Sequence, residues 1–356
     1  MKKMIKEMNL SSSLLGGYKM KFIHVADVHL GSSLLKFSKA KERNIELRNT
    51  FINMLEYARN HQIDHILISG DLFDHDHVNY ALKKDMLSLF KKYDDLTFYY
   101  LRGNHDQEGF DIELKNVKMF NADYTYYKIN NICIAGSEDP VNCDLHLDPQ
   151  NFNIVMLHGD IHHEIELDKL RNHSIDYLAL GHLHSYESGH LDMNSYYAYP
   201  GALEGRGYDE FGEKGFIELE ITDHLEFHFV PFAYRTFYLV EVDITDTESD
   251  YDIEQKILNT ISEYENKNII QINLTGKIDV ESEIDITRIE KSIKDQTDFY
   301  ELRIKDQTDY KVDYAKYLHN SSLKGEFVRM VQESDEENKD EIIHYGLMAL
   351  LRGEVE

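Results

Sequence analysis

Hydrophobic positions along the chain change texture twice. Residues 21–30 (KFIHVADVHL) are an apolar run that ends in polar residues, which predicts a buried strand feeding a loop. Within 44–60, Leu47, Phe51, Met54, Leu55 and Ala58 recur at helical spacing. Residues 65–69 (HILIS) predict a second buried strand, 80–92 a second helix and 97–101 (TFYYL) a third strand. Alternation of this kind predicts a parallel-type sheet with helices packed on it. After Asp106 the helical pattern thins to 164–171, and strand-like runs follow at 124–135, 152–157, 177–180, 196–199, 214–221 and 226–232. The expectation is two sheets packed face to face with helices outside.

From about Thr236 the texture changes again. Strands are expected at 236–244, 269–278 and 299–305, with helices at 250–265 and 284–294, which makes a small α+β unit. The hexapeptide IKDQTD occurs at 293–298 and again at 304–309, and is read as two similar turns. Residues 322–356 predict a helix pair: Leu323, Phe327, Val328 and Val331 form one stripe, and the acidic stretch 333–337 separates it from Ile342, Ile343, Leu347, Leu350 and Leu351. At the other end, Glu7 and Asn9 interrupt the apolar character of the first residues and no small-residue cleavage site follows, so 1–19 is expected to be an extension outside the fold. The expected organisation is therefore 1–19, 20–235, 236–312 and 313–356.

Composition narrows the classes. The chain has 356 residues, 42% hydrophobic and 29% charged, which fits two or three globular domains and excludes a disordered tail or a fibre. No run of about 18 apolar residues is present, so no membrane span is expected. The formal charge of −27 makes a poor grip on DNA by bulk positive charge alone. Two cysteines, Cys133 and Cys143, with no CxxC spacing, fit a reducing, cytoplasmic setting. The 19 histidines stand out, and their positions carry the chemistry.

Five polar blocks each end an expected strand: Asp27-Val28-His29, Gly70-Asp71-Leu72-Phe73-Asp74, Gly103-Asn104-His105-Asp106, His158-Gly159 and Gly181-His182-Leu183-His184. Strand ends are where α/β folds place ligands. Asp, His and Asn together suit Mn2+, Fe or Zn rather than Ca2+. Such a set fits two-metal hydrolysis, in which two divalent ions clamp a phosphate and lower the pKa of a shared water. Asp71, on the glycine turn, is the natural bridging carboxylate, and His105 is placed to meet the leaving oxygen.

The order DxH, GDxxD, GNHD, H, GHxH resembles the signature of the calcineurin-like metallophosphoesterases, over roughly residues 21–205. Within that superfamily the chain is similar to the SbcD-type DNA repair nucleases, including the YhaO-like branch. The block GDLFD at 70–74, the segment YPGALEGRGYDEFGEKGF at 199–216 and the continuation into a small cap and helical tail carry that narrower likeness. The resemblance implies a four-layer α/β/β/α sandwich at 20–235, an α+β cap at 236–312 that recognises DNA, and a partner-binding helical tail at 313–356. It implies that Asp27, His29, Asp71 and His184 hold one ion and that Asp71, Asn104, His158 and His182 hold the other, Mn2+ being the expected metal. His105 would be the catalytic histidine, Asp74 and Asp106 would orient ligands, and Arg206 would line the DNA groove. It also implies a homodimer and an SbcC-like coiled-coil ATPase partner docked on the tail helices.

The expected function is a metal-dependent DNA nuclease subunit of double-strand break repair, an exonuclease that could also cut internally. The alternative is a phosphodiesterase or phosphatase acting on small nucleotides or phosphoproteins, which the metal blocks alone do not separate from the first. A non-catalytic scaffold would predict a broken ligand position, and none is broken. His75, His77, His162, His163 and His173 are read as solvated loop residues, and Tyr196, Tyr197, Tyr199 and Tyr208 as sheet packing rather than base-stacking surfaces.

Overall fold

The computed structural model describes residues 19–34, 39–74, 79–106, 111–141, 144–245, 247, 249–282, 284–311 and 313–352. Residues 1–18 of the expected extension, together with His75, His77 and Cys143, lie outside the described residues. The chain divides into two compact units, 1–236 and 237–356.

The first unit contains two six-stranded sheets. In chain order the strands are β1 (Met20–Val25), β2 (His65–Ser69), β3 (Thr97–Leu101), β4 (Val117–Met119), β5 (Thr125–Ile129), β6 (Ile132–Gly136), β7 (Phe152–His158), β8 (Tyr177–Gly181), β9 (Glu187–Asp192), β10 (Ser195–Tyr199), β11 (Gly215–Ile221) and β12 (Leu225–Pro231). One sheet has the order β12-β11-β1-β2-β3-β4 and the other β5-β6-β7-β8-β10-β9. In the first sheet β1 to β4 are parallel, and β11 and β12 run antiparallel at one edge. In the second, β6, β7, β8 and β10 are parallel between antiparallel edges.

The central strands are apolar on both faces because both faces are covered. Ile23, Val25, Ile66, Ile68, Phe98 and Tyr100 pack beneath helices α1 (Ala40–Asn60) and α2 (Tyr80–Lys92) with Phe51, Met54, Leu55 and Phe90. Phe22, Leu67, Tyr99 and Leu101 alternate to the opposite face and meet Ile132, Ile134, Ile154, Met156 and Ala179 of the second sheet. The outer face of that sheet packs Val155, Leu157, Leu178 and Leu180 against Ile165 and Leu170, around the single-turn helix α3 (Leu167–Leu170). The layers are thus α/β/β/α, with a thin fourth layer. α2 starts where the Asn79 side chain accepts the Leu82 N–H at 2.9 Å, and Lys91 and Lys92 complement the carbonyl end of its last turn.

Three elements differ from expectation. The 124–135 run is a hairpin, not one strand: it turns at Asn130, whose φ of 53° is a conformation asparagine tolerates. β4 has only three residues, and β9 (ESGHLD) has too little apolar character to register as a strand.

The second unit has a parallel sheet of order β13-β14-β16, formed by β13 (Phe237–Asp243), β14 (Ile269–Thr275) and β16 (Glu301–Asp306). α4 (Asp250–Ile261) and α5 (Ile286–Gln296) pack against it through Ile253, Ile257, Ile289 and Ile293. β15 (Lys277–Asp279) pairs with β17 (Asp309–Lys311). α6 (Ala315–Leu318), α7 (Leu323–Glu333) and α8 (Lys339–Arg352) follow, sharing a core of Tyr317, Val328, Val331, Ile343 and Leu347. The two IKDQTD copies are not similar turns. The first closes α5 and the second closes β16, and in each the isoleucine, Ile293 or Ile304, fills the same core.

Candidate metal centre

Five strands deliver the polar blocks to one edge of the sandwich. Asp27 and His29 follow β1, Asp71 follows β2, Asn104 and His105 follow β3, His158 ends β7, and His182 and His184 follow β8. These strands are parallel within their sheets, so their carboxyl ends gather together. The turns are strained. Asp27 (φ 51°), His29 (φ 50°), Asp71 (φ 52°) and His182 (φ 109°) occupy left-handed backbone that such residues adopt only when surrounding structure holds them there. Hydrogen bonds between the two loops do this: Asp27 N donates to Gly70 O at 3.1 Å, His29 N to Asp71 O at 3.0 Å and Leu30 N to Leu72 O at 2.9 Å. Gly70 is required, because at its φ of 93° a Cβ would lie 2.0 Å from the His158 ring.

The first donor set converges tightly. His29 Nε2 lies 3.3 Å from His184 Nε2, 3.8 Å from Asp27 Oδ1 and 3.7 Å from Asp71 Oδ2, and His184 Nε2 lies 3.7 Å from Asp27 Oδ1. The opposite ring nitrogens face carboxylates. His29 Nδ1 is 3.0 Å from Asp74 Oδ1, and His184 Nδ1 is 2.9 Å from Glu210 Oε1. A ring that presents its N–H to a carboxylate presents a lone pair at the other nitrogen, the usual arrangement behind a metal-binding histidine.

The second set shares Asp71. His158 Nε2 is 3.4 Å from Asp71 Oδ2 and 2.9 Å from Asn104 Oδ1, and His182 Nδ1 is 3.2 Å from the same Asn104 oxygen. His158 Nδ1 donates to Ser69 O at 2.9 Å, which fixes its ring. Asp71 Oδ2 therefore faces both sets, while its Oδ1 accepts the His105 N–H at 2.9 Å.

These residues fit a pair of divalent cations. His184 Nε2, Asp27 Oδ1 and Asp71 Oδ2 all lie within 4 Å of His29 Nε2, an arrangement of lone pairs and carboxylate oxygens that repels itself without positive charge. Asp27 is fully buried, and among the described residues its Oδ1 has no hydrogen-bond donor, while Oδ2 accepts the His182 N–H at 3.0 Å. Burial pushes the Asp27 carboxyl up to about 6, with the nearby Asp71 charge adding to it and His158 and His184 opposing. Burial also drives His29 down to about 4, so that its ring is neutral and free to donate a lone pair. At Asp71 and His158 burial opposes both charges, but their mutual attraction holds the carboxyl low and the imidazole high. Asp71 and His158 would hold a cation in place of that imidazole proton.

His105 stands at the mouth with a half-exposed side chain. Its Nδ1 is 3.4 Å from Asp74 O, and its ring meets that of His29 edge-on at 5.1 Å. Asp106 is fully buried and braces the loops: it accepts Gly103 N at 2.6 Å, Leu72 N at 3.0 Å and the Tyr100 hydroxyl at 2.6 Å. A cavity of about 500 Å³ opens beside the second set, lined by Arg102, Asn104, Glu138, His163 and His182 among others.

Arg206, expected to line the DNA groove, lies beside the first donor set. It is 16% exposed and engaged with Asp74 Oδ1 at 2.9 Å and Glu210 Oε1 at 2.9 Å. Glu210 was given no role from the sequence, although it lies four residues after Arg206 in a segment already singled out. Of the nearby histidines, His163 pairs with Asp160 at 2.7 Å and His162 lies 3.5 Å from Glu187, both well exposed. Tyr199 is buried, with its hydroxyl donating to Gly159 O at 2.8 Å.

Residues 20–186 match the family model described as Calcineurin-like phosphoesterase. The chain is 26% identical over 283 residues to "Uncharacterized metallophosphoesterase YhaO" of Bacillus subtilis, covering 69% of this chain and 68% of that protein. It is 20% identical over 368 residues to "DNA double-strand break repair protein Mre11" of Sulfolobus acidocaldarius, covering 90% of this chain and 93% of that one. The protein of the same name from Archaeoglobus fulgidus is 24% identical over 394 residues, covering 95% and 82% respectively. Among solved structures, a dimetal phosphatase from Danio rerio is similar at a TM-score of 0.40 and 11% identity, covering 56% of this chain and 92% of that chain.

Proposed function

We propose that the chain, whose residues 20–186 match the calcineurin-like phosphoesterase family model, is a metal-dependent DNA nuclease subunit of the SbcD type that acts in double-strand break repair, with Mn2+ as its metal. The observation that carries this reading is the pair of donor sets sharing Asp71 Oδ2. Relatives named as break-repair proteins along most of the chain's length support the choice of DNA.

Asp27, His29, Asp71 and His184 would hold one ion, and Asp71, Asn104, His158 and His182 the other. Two divalent ions held there would supply charge neutralisation of the phosphate and a water nucleophile competent at neutral pH. The protein's own work is positional. Asp74 and Glu210 present His29 and His184 by their Nε2 atoms. Ser69 O does the same for His158. Asp106 ties the loop after β3 to the loop after β2, which holds Asn104 in register. With Nδ1 turned toward Asp74 O, His105 presents Nε2 outward, where it delivers a proton or hydrogen bond to the leaving oxygen.

The proposal extends to partners. Leu323, Met330, Tyr345 and Leu350 on α7 and α8 are exposed apolar residues, which supports docking of an SbcC-like coiled-coil ATPase. Homodimerisation and a cytoplasmic location complete the reading. Among the described residues no helix is long and apolar enough to cross a membrane.

A second reading, a phosphodiesterase or phosphatase for small nucleotides or phosphoproteins, is favoured by one observation. A formal charge of −27 repels a polyanion, and a partner must offset it. Parallel rates on single-stranded, hairpin and blunt DNA and on an aryl phosphodiester separate the two. Cleavage of DNA supports the nuclease. Turnover of the aryl diester alone, with no DNA cut even when the ATPase partner is present, refutes it.

A further inference from the structure

The segment after β10 folds back over His184. Lys214 Nζ, buried, donates to His184 O at 2.6 Å, and Ala202 N donates to the same oxygen at 3.3 Å. Glu210 Oε1 accepts from the His184 ring, while Glu210 Oε2 accepts Arg206 N at 2.8 Å. The Arg206 guanidinium then spans two carboxylates. It reaches Glu210 Oε1 through Nε at 3.2 Å and Nη2 at 2.9 Å, and Asp74 Oδ1 through Nη1 at 2.9 Å, with Ser32 Oγ at 3.4 Å beside it. Asp74 and Glu210 are the two groups that back the two histidines of the first donor set.

We propose that Arg206 and Glu210 form a positioning clamp that sets the affinity of the first metal site, the one built on Asp27, His29 and His184, and leaves the second to its own supports. The inference rests on the two-metal reading above.

The physical case has three parts. A planar guanidinium bonds two carboxylates at once in fixed geometry, which an ammonium does not. The side chains of Asp74 and Glu210 are only 14% and 8% exposed, so without the guanidinium two poorly solvated anions face each other. Glu210 hydrogen-bonds the His184 ring at 2.9 Å and Asp74 Oδ1 sits 3.0 Å from His29 Nδ1, and loss of such a support weakens metal binding by about 10–100-fold. His158 in the second set is backed by Ser69 O, on β2, which the clamp does not touch.

The test is titration calorimetry with Mn2+ alone on the full chain, for the native protein and for Arg206→Ala, Arg206→Lys, Glu210→Gln, Asn104→Ala and the double variant Arg206→Ala/Asn104→Ala. Native protein binding two ions is the starting condition; if it binds fewer, the two-metal reading fails and this inference falls with it. Arg206→Ala and Glu210→Gln should weaken one of the two ions by about 10–100-fold and leave the other unchanged, with Arg206→Lys in between. Asn104→Ala should weaken the other ion, and the double variant should lose both. Three results overturn the clamp: Arg206→Ala binding both ions at native affinity, Arg206→Ala losing both ions equally, or the double variant binding as well as Asn104→Ala alone. DNA affinity measured beside it without metal should be unchanged in Arg206→Ala, since the guanidinium is turned inward; a loss there with metal binding intact returns Arg206 to the groove.

Discussion

His24 offers a quantitative test of how the two sheets meet. It lies on β1, fully buried between the sheets, with Nδ1 2.9 Å from the Tyr177 hydroxyl and Nε2 3.1 Å from Leu180 O. The neutral ring satisfies both partners: Nε2–H donates to the carbonyl and Nδ1 accepts from the hydroxyl. Burial pushes its pKa down to about 3, against a smaller upward pull from the Leu180 carbonyl. The unfolded ring titrates near 6.5. Between these values the unfolded chain binds a proton that the folded chain refuses, so stability falls as pH drops below about 6.5 and the loss is complete near pH 3. At about 1.4 kcal/mol per pH unit, acidification from pH 7.5 to 4.5 should cost the native protein roughly 2–3 kcal/mol through this one group. His24→Gln keeps a donor and an acceptor and does not titrate. Urea unfolding of the metal-free protein at both pH values, for both forms, isolates the term, because all other titrations and the cost of the substitution itself cancel in the difference of differences. Native protein should lose roughly 2–3 kcal/mol more than the variant. Equal losses within about 0.5 kcal/mol would refute the placement of His24 in a dry inter-sheet contact.

Other consequences follow from the site. His105→Ala should lower kcat about 10²–10⁴-fold while calorimetry still finds both ions bound, since the hydrogen bond that His105 gives Asp71 comes from its backbone N–H, which alanine keeps. Chelation should abolish activity and lower the melting temperature, and Mn2+ at about 100 times its dissociation constant should restore about 2.7 kcal/mol of stability per site; unchanged melting with and without metal contradicts this. Gly181→Ala should destabilise the first unit by about 1–3 kcal/mol and weaken metal binding, because the added Cβ would fall 1.9 Å from Ser69 O, the atom that anchors His158; a variant with native melting and native metal affinity counts against that packing.

Most of the first unit was legible because its elements are of the kinds that sequence period reports well. β2 and β3 are short, apolar and bounded by polar turns, and α1 and α2 carry their buried residues at helical spacing. The blocks at the strand ends were legible because His, Asp and Asn have no packing reason to follow five apolar runs. What escaped depends on tertiary context. β9 is polar and exists through its pairing with β10. The two copies of IKDQTD show the limit: one ends a helix and the other a strand, chosen by which surroundings bury the leading isoleucine. Arg206 was legible as a residue of interest, but its contacts were not. Sequence spacing shows that Arg206 and Glu210 are four apart, whereas only the fold shows that Asp74, 132 positions away, meets the same guanidinium.

The claim that Asp71 bridges two metal ions in a phosphodiester-cleaving site is tested most directly by Asp71→Asn. This variant keeps an acceptor for the His105 N–H and removes the charge. Native protein and variant are incubated with Mn2+ and end-labelled single-stranded and hairpin DNA, with metal content measured on the same samples. Native protein should hold two ions and cut DNA, and the variant should lose both cleavage and at least one ion, with the two metal-free proteins melting alike. Cleavage by Asp71→Asn at the native rate, with both ions still bound, would contradict it.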